Sequence, residues 1–266
     1  MPITGYSNTI SVTTSGFDAD AQAFFNRVTA AGGTLSVTEQ TATNQLVLDM
    51  KAAGIWTSMR AVYPMVGASA AACAQNLKSS SFTGSFTSTG VTYSSNGITL
   101  NGSSGYMNST IIPNTNLQLD SVHLSAYIRN NTASGGAMGC SDTSLSNGLY
   151  LNPRYTSNQQ FSRSNSNSGG GQTNMNSVGF WLSSRVSSTT FKVFQSNTTF
   201  ANETITTTGR SANPIFVGAV QLANLGIEYS DRNLALASIG DGLTDTQASN
   251  FYTAVQAFQT TLSRQV

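Results

Sequence analysis

The sequence predicts a mainly β fold: a sandwich of short strands with a helical hairpin before it and a single helix after it. Three observations lead there. From Phe82 to about Ser238, short β-branched and aromatic runs alternate with Asn-Gly, Ser-Gly and Ser-Asn clusters, the punctuation of a strand-and-turn region. Capping boxes, Ser36 with Glu39 and Thr244 with Gln247, open helical patterns on either side of that region. Finally, Ser, Thr and Asn number 38, 34 and 24 among 266 residues, against 12 Lys and Arg and 11 Asp and Glu. Small hydroxyl and amide side chains satisfy backbone groups locally and tolerate the angles of tight turns.

Residues 1–16 read as an extended N-terminal arm, with Ile10 and Val12 alternating against polar neighbours and available to pair with another subunit. Residues 17–67 read as a helical anchor region. Asp18 precedes Ala21, Phe24, Phe25 and Val28 at helical spacing, and Gly32-Gly33 stops the run. Ser36 and Glu39 then start a second helix carrying Ala42, Leu46, Met50 and Ala53 on one face, closed by Gly54. The apolar stretch Ile55-Trp56 and Ala61 to Gly67 is expected to pin this hairpin onto its neighbour.

Residues 68–266 read as the β-sandwich domain with its C-terminal helix. Expected strands cover 82–87, 91–94, 97–101, 105–108, 122–129, 136–140, 148–152, 159–163, 178–186, 190–195, 199–205, 215–222, 226–229 and 234–239. Asn96-Gly97 and Asn101-Gly102 mark the tightest turns. Ser162 to Ser177, with Asn165 to Gly171 at its centre, holds so little apolar surface that it reads as an exposed flexible loop. Helix 244–263 places Ala248, Phe251, Tyr252, Val255, Phe258 and Leu262 on one face.

Composition excludes several classes of function. A hydrophobic fraction of 39% with 13 Phe and 9 Tyr belongs to a folded chain, not a disordered one. A net charge of +1, with no basic cluster, argues against nucleic acid as a partner. No stretch reaches the ~18 apolar residues of a membrane span, and the N-terminus lacks a basic segment followed by an apolar run. The expectation is therefore a chain without membrane insertion, held in the cytosol until assembly. Cys73 and Cys140 lack CxxC spacing and read as buried free thiols.

Acid–base chemistry needs titratable groups in company, and the chain has one histidine and three glutamates. His123 shares a strand face with Ser125 and Tyr127 and reads as structural or solvated, with no partner to activate it. Glu203, Glu228 and Asp231 are the carboxylates that a glycan hydrolase would need in a pair, but Glu228 and Asp231 are three apart and point to opposite sides of a strand. Asp18-x-Asp20 and Asp241 to Asp245 look like fragments of calcium loops without the further ligands, and helix capping explains both. The Asn-x-Ser/Thr triplets follow from composition. The reading is a non-enzymatic protein with no metal and no cofactor. Of Phe180 and Trp181, which alternate on one strand, one is expected in the core; Trp181 outside it would be a sugar-stacking platform.

Several segments resemble a known group. Phe17 to Phe24, Ile55-Trp56-Thr57 and Tyr63-Pro64-Met65-Val66-Gly67 resemble the helical lead-in of tailed-bacteriophage virion structural proteins. Asn101 to Tyr106, Val178 to Arg185 and Ser230 to Ala235 resemble strands of their concanavalin A-like (laminin-G-like) lectin/glucanase sandwich. Ile239 to Thr244 and the Tyr252, Val255, Gln256, Phe258 pattern are similar to their terminal helix. The resemblance implies a jelly-roll sandwich in a capsid- or tail-attached decoration or fibre protein, located in the virion and assembled in the host cytoplasm. Its partners would be other virion proteins and a host cell-surface glycan, and particle symmetry favours a homo-oligomer. The chain departs from the related lectins and glucanases in lacking their paired catalytic glutamates and an acidic metal-binding cluster. On this reading the carbohydrate-binding candidates are Asn165, Asn167, Gln172 and Asn174, with Tyr155 and Trp181 as stacking groups. The alternatives are a purely structural decoration protein and a glycan hydrolase.

Overall fold

The computed structural model describes residues 16–266, so the expected arm lies almost wholly outside the described residues. The chain opens with helices α1 (Ala19–Ala30) and α2 (Val37–Ala52), strand β1 (Met59–Tyr63) and the one-turn helix α3 (Ala70–Cys73). There follow β2 (Ser85–Phe86), β3 (Val91–Ser94), β4 (Gly97–Leu100), β5 (Met107–Asn108), the one-turn helix α4 (Pro113–Asn116) and β6 (Val122–Ile128). Next come β7 (Met138–Cys140), β8 (Gly148–Leu151), β9 (Gln159–Ser166), β10 (Gly170–Thr173), β11 (Gly179–Arg185), β12 (Thr190–Gln195) and β13 (Thr198–Thr204). The chain ends with β14 (Phe216–Val217), β15 (Ala219–Gln221), β16 (Ile227–Tyr229), β17 (Asn233–Gly240) and α5 (Asp245–Thr261).

The strands form two sheets, as the sequence predicts. The front sheet has eight strands in the order β13-β12-β11-β6-β17-β4-β3, with β1 sharing the β17 edge, and all its pairings are antiparallel. The back sheet has nine, in the order β10-β9-β8-β7-β14-β5-β2, with β15 parallel to β7 and antiparallel to β16. Strand alternation divides the front sheet's side chains between two cores. Leu124, Ala126, Ile128, Trp181, Leu234 and Ile239 face the back sheet, where Met107, Met138, Leu149, Leu151 and Val217 meet them. Tyr127, Phe180, Leu182 and Leu236 point the other way, into Phe24, Leu46, Val47, Met50, Phe251, Val255 and Phe258 of the three long helices. The molecule is thus layered as helices, front sheet, back sheet, and each large apolar side chain in these layers contributes about 1.5–3 kcal/mol by leaving water.

The helices begin where the capping residues put them. Asp18 accepts from Asp20 N at 3.0 Å, and both boxes close, with Ser36 N 2.8 Å from Glu39 Oε2 and Thr244 N 3.0 Å from Gln247 Oε1. Glu39 does a second job: its Oε1 accepts from Gly67 N at 2.7 Å, tying α2 to the chain leaving β1. Two features differ from expectation. Met59–Tyr63 is a strand of the front sheet, so a boundary at residue 67 cuts through that sheet and does not separate a helical unit from the sandwich. Gln159–Ser166 and Gly170–Thr173 form an antiparallel hairpin, so 162–177 is not a loop; β10 is an edge strand that needs only backbone bonds to β9.

Arg264 fastens the C-terminal segment beneath the helices. It is 1% exposed, donates to Met65 O at 2.9 Å, Pro64 O at 2.7 Å, Ala235 O at 2.8 Å and Gln259 Oε1, and stacks 5.2 Å from the Phe258 ring centre. Burial pushes its guanidinium down to about 10, still fully charged at neutral pH. Replacing Arg264 by Met keeps the length of the side chain, leaves Met65 O and Pro64 O without the donor they have here, and leaves Ala235 O with Gln259 Nε2 alone. Urea unfolding of Arg264→Met is expected to show a loss of about 3 kcal/mol or more.

Candidate functional site

The helices cover the outer face of the front sheet, which leaves the outer face of the back sheet as the open one. Strand register decides what it carries, because paired residues share a face. Tyr150 pairs with Arg163 and with Gly139; Gly139 pairs with Phe216 and Val220; Val220 pairs with Glu228. All of these lie on the side opposite Leu149 and Leu151, which face the inter-sheet core. The row crosses six strands and ends in a hollow of about 280 Å³.

Tyr150, Phe161 and Tyr155 give the hollow its aromatic walls, Leu145 and Leu222 its aliphatic rim, and Asn152, Arg163 and Glu228 its polar groups. The Arg163 guanidinium lies over two of the rings, 5.6 Å from the Tyr150 centre and 5.7 Å from the Phe161 centre. Glycines make this arrangement possible. A Cβ at Gly148 would come within 2.6 Å of Arg163 Cδ and 3.0 Å of Tyr150 Cε1, and one at Gly139, where φ is +145°, within 2.2 Å of Tyr150 Cβ. Tyr155 comes from the connection between β8 and β9. Its hydroxyl donates to Glu228 Oε1 at 3.1 Å, and the connection is braced by Arg154, which donates to Asn158 Oδ1 at 3.0 and 2.8 Å. Burial pushes the Glu228 carboxyl above its ordinary range, with the Tyr155 hydrogen bond working in the opposite direction. Beside the hollow, Tyr106 stacks on Phe216 with ring centres 4.2 Å apart and planes 17° from parallel.

Of the residues nominated from sequence, Tyr155 stands in this hollow. Asn167 and Gln172 are exposed on the β9–β10 hairpin, away from the lining. Asn165 and Asn174 are buried and engaged: Asn165 Nδ2 donates to Gln118 O and Leu119 O at 3.1 and 2.8 Å, and Asn174 Nδ2 to Pro153 O and Asn176 O at 2.6 and 2.8 Å. Trp181 is fully buried between the sheets, its Nε1 donating to Ser177 O at 3.0 Å, and from there it has no face to offer a sugar. Phe180 is buried too, because this sheet has a core on each side. Tyr150, Phe161, Arg163 and Asn152 escaped the sequence reading. The one signal available was at Tyr150, which alternates with the core residues Leu149 and Leu151.

The carboxylates weighed for hydrolysis are dispersed. Glu228 lines the hollow, Asp231 accepts from Thr132 Oγ1 at 2.8 and 2.9 Å outside it, and the carboxylate of Glu203 occupies the space a side chain at Gly170 would need. Cys73 and Cys140 are buried free thiols, both pushed up to about 12 by burial, which makes them poor nucleophiles.

Compared by sequence, the chain matches no protein-family model and no curated protein. Compared by structure, it resembles domain 4 of an extracellular GH43 arabinanase from Geobacillus stearothermophilus, solved with arabinotriose, at a TM-score of 0.49 and 14% identity, over 73% of this chain and 98% of that one. It also resembles a sialidase of Trypanosoma rangeli, at a TM-score of 0.51 and 7% identity, over 80% of this chain and 38% of that one. A third likeness is to the binding domain of Paraclostridial mosquitocidal protein 1, at a TM-score of 0.46 and 9% identity, over 74% of this chain and 52% of that one. What the sialidase likeness carries is the architecture, a two-sheet β-sandwich.

His123 lies under the helix layer, not at a site. It is fully buried, its Nδ1 is 2.6 Å from Asp241 O and its Nε2 3.0 Å from Ser238 Oγ, which is itself 2.7 Å from Ser125 Oγ. The carbonyl fixes the proton on Nδ1, so Nε2 accepts from Ser238 and the ring is neutral. Burial pushes it down from 6.5 to about 4, so an unfolded chain binds a proton that the folded chain refuses across that interval. The stability conferred by the neutral ring is complete above pH 6.5 and is lost as the pH falls toward 4. The loss is expected to be about 3 kcal/mol. Unfolding measured at pH 4 to 7 should show this slope in the wild type and a flatter one in His123→Gln.

Proposed function

We propose that the chain is a non-enzymatic glycan-binding module whose site is the hollow on the back sheet, and that it is displayed on a tailed-phage virion as a capsid- or tail-attached decoration or fibre protein. The observation that carries the binding reading is the composition of that hollow. Aromatic side chains offer apolar surface to the C–H face of a sugar ring, while a carboxylate, a guanidinium and an amide stand within the same 280 Å³ to take its hydroxyls. Such mixed lining suits a pyranose better than a purely apolar ligand, whose arrival would strip water from Glu228 and Arg163 without offering either a new partner. The helix layer supports the choice of face, since Tyr127, Phe180 and Leu236 on the other sheet are already covered.

The virion setting is supported by the sequence resemblance in the helical lead-in and the sandwich strands. The proposed partners are accordingly other virion proteins on one side and a host-surface glycan on the other, with the chain repeated as a homo-oligomer on the particle. The absence of turnover is supported by the lining: Glu228 is the carboxylate among the residues around the hollow, and most glycosidase families work with two.

The test is binding of the purified chain to host-envelope polysaccharide, alongside its cosedimentation with particles lacking it. Glu228→Gln keeps the shape of the site and removes its charged acceptor, and it is expected to weaken polysaccharide binding about tenfold. Tyr155→Ala, which removes both a ring and the hydrogen bond that orients Glu228, is expected to weaken it further, with neither variant altering attachment to particles. Release of reducing ends, abolished in Glu228→Gln, would instead make the chain a hydrolase.

A further inference from the structure

Four arginines are at least nine-tenths buried, and three of them share one pattern. Arg185, Arg232 and Arg264 each direct both terminal nitrogens at internal acceptors, backbone carbonyls foremost. Arg163 departs from it. Its Nη1 donates to Leu145 O and its Nε, like that of Arg232, is buried without a partner; what sets it apart is Nη2, which among the described residues makes no hydrogen bond, with no carboxylate pairing with the group. A cation held out of water with idle donors carries a desolvation cost that an arriving acceptor would offset. Tyr150 and Phe161, neighbouring rings 6.0 Å apart, both pack against the guanidinium, which restrains its free donors before any ligand comes.

Resting on the glycan-binding reading of this hollow, we infer that its ligands are acidic sugars whose carboxylate pairs with Arg163. A guanidinium edge matches the two oxygens of a carboxylate in geometry as well as charge. Glu228 does not neutralise Arg163: its partner is Tyr155, and the two charged groups form no salt bridge across the hollow. Glu228 and Asn152 then meet hydroxyls of the same sugar, which bonds to a carboxylate as a donor while its own carboxylate is held by Arg163. A single ring thus satisfies opposite charges that the protein leaves apart.

The experiment uses the full chain and calorimetric titration with a panel of uronate-containing oligosaccharides, each paired with its carboxyl-reduced form. For at least one pair the acidic member is expected to bind about tenfold tighter or better. Arg163→Gln should bring the two members to within about twofold, and Arg163→Lys, which keeps the charge without the two-pronged edge, should fall between. If Arg163→Gln fails to fold, the wild-type comparison of paired ligands and Arg163→Lys still decide. Equal binding of both members of every pair, or tighter binding of the reduced forms, overturns the acidic-sugar inference and leaves the glycan-binding reading standing. Binding of neither member of any pair, with no binding to envelope polysaccharide, overturns both.

Discussion

Covering the eight-stranded sheet on both faces removes water from β6 and β11 along their whole lengths, so the polar groups on them depend on partners inside the protein, and all but a few, Ser183 Oγ among the exceptions, have one. Ser184 answers this by donating to Leu243 O at 2.7 Å and accepting from Leu243 N at 2.8 Å, which fixes the turn into α5. His123, Ser238 and Ser125 form a chain of contacts across the paired strands β6 and β17. Arg185 reaches from the same sheet to Ser164 O on β9 and Ile205 O beyond β13, joining the two sheets near their shared end. Helix placement, the neutral histidine and the sheet-to-sheet clamp are consequences of one constraint.

The same constraint decides where chemistry is open to the outside. A sandwich with both outer faces bare offers two broad surfaces, and here the helices have taken one. On the other, the antiparallel register sets Tyr150 beside Arg163 and Gly139 beside Tyr150, and glycine at 139 and 148 lets the larger side chains lie down across the sheet. The hollow is therefore a product of pairing among strands far apart in sequence, and its polar groups come from β9, β16 and the connection that carries Asn152 and Tyr155.

Local signals in the chain locate most of the fold. Both capping boxes form as their spacing requires, and Asn96-Gly97 turns β3 into β4. What escaped has a physical reason in each case. Met59–Tyr63 lies in an apolar run with no alternation, because it is buried toward both cores, and such a run resembles a connection as much as a strand. Gly170–Thr173 lacks any apolar face because an edge strand can be held by backbone bonds alone. The alternation of Phe180 and Trp181 was legible, but it separates core from surface only when one face is wet, and here both faces are dry. Tyr155 is the one nominated residue that reaches the hollow; Arg163 and Glu228 join it through cross-strand register, which a single chain does not write down locally.

The wealth of amides and hydroxyls, which suggests a solvated surface when read from composition, serves the interior as well. Asn76 is fully buried and accepts from Val62 N and Lys78 N, both at 3.0 Å, while donating to Arg60 O at 3.1 Å and Ser81 O at 2.9 Å. Buried Asn174 ties two loop carbonyls, and at the surface Asn101 Oδ1 gathers the amides of Ser103, Ser104 and Gly105 within 3.1 Å. A neutral amide can close a loop in this way at far lower desolvation cost than a carboxylate or an ammonium group, which accounts for a large sandwich built with so few charges. The buried arginines obey the same rule from the donor side, since the acceptors that Arg185 and Arg264 find are neutral carbonyls and an amide in place of carboxylates. Internal acceptors are thus plentiful wherever loops converge on a buried cation. At Arg163 they are not: its neighbours include two aromatic rings and one carbonyl, its Nε is left buried without a partner, and Nη2 is left over in a residue that lines the hollow.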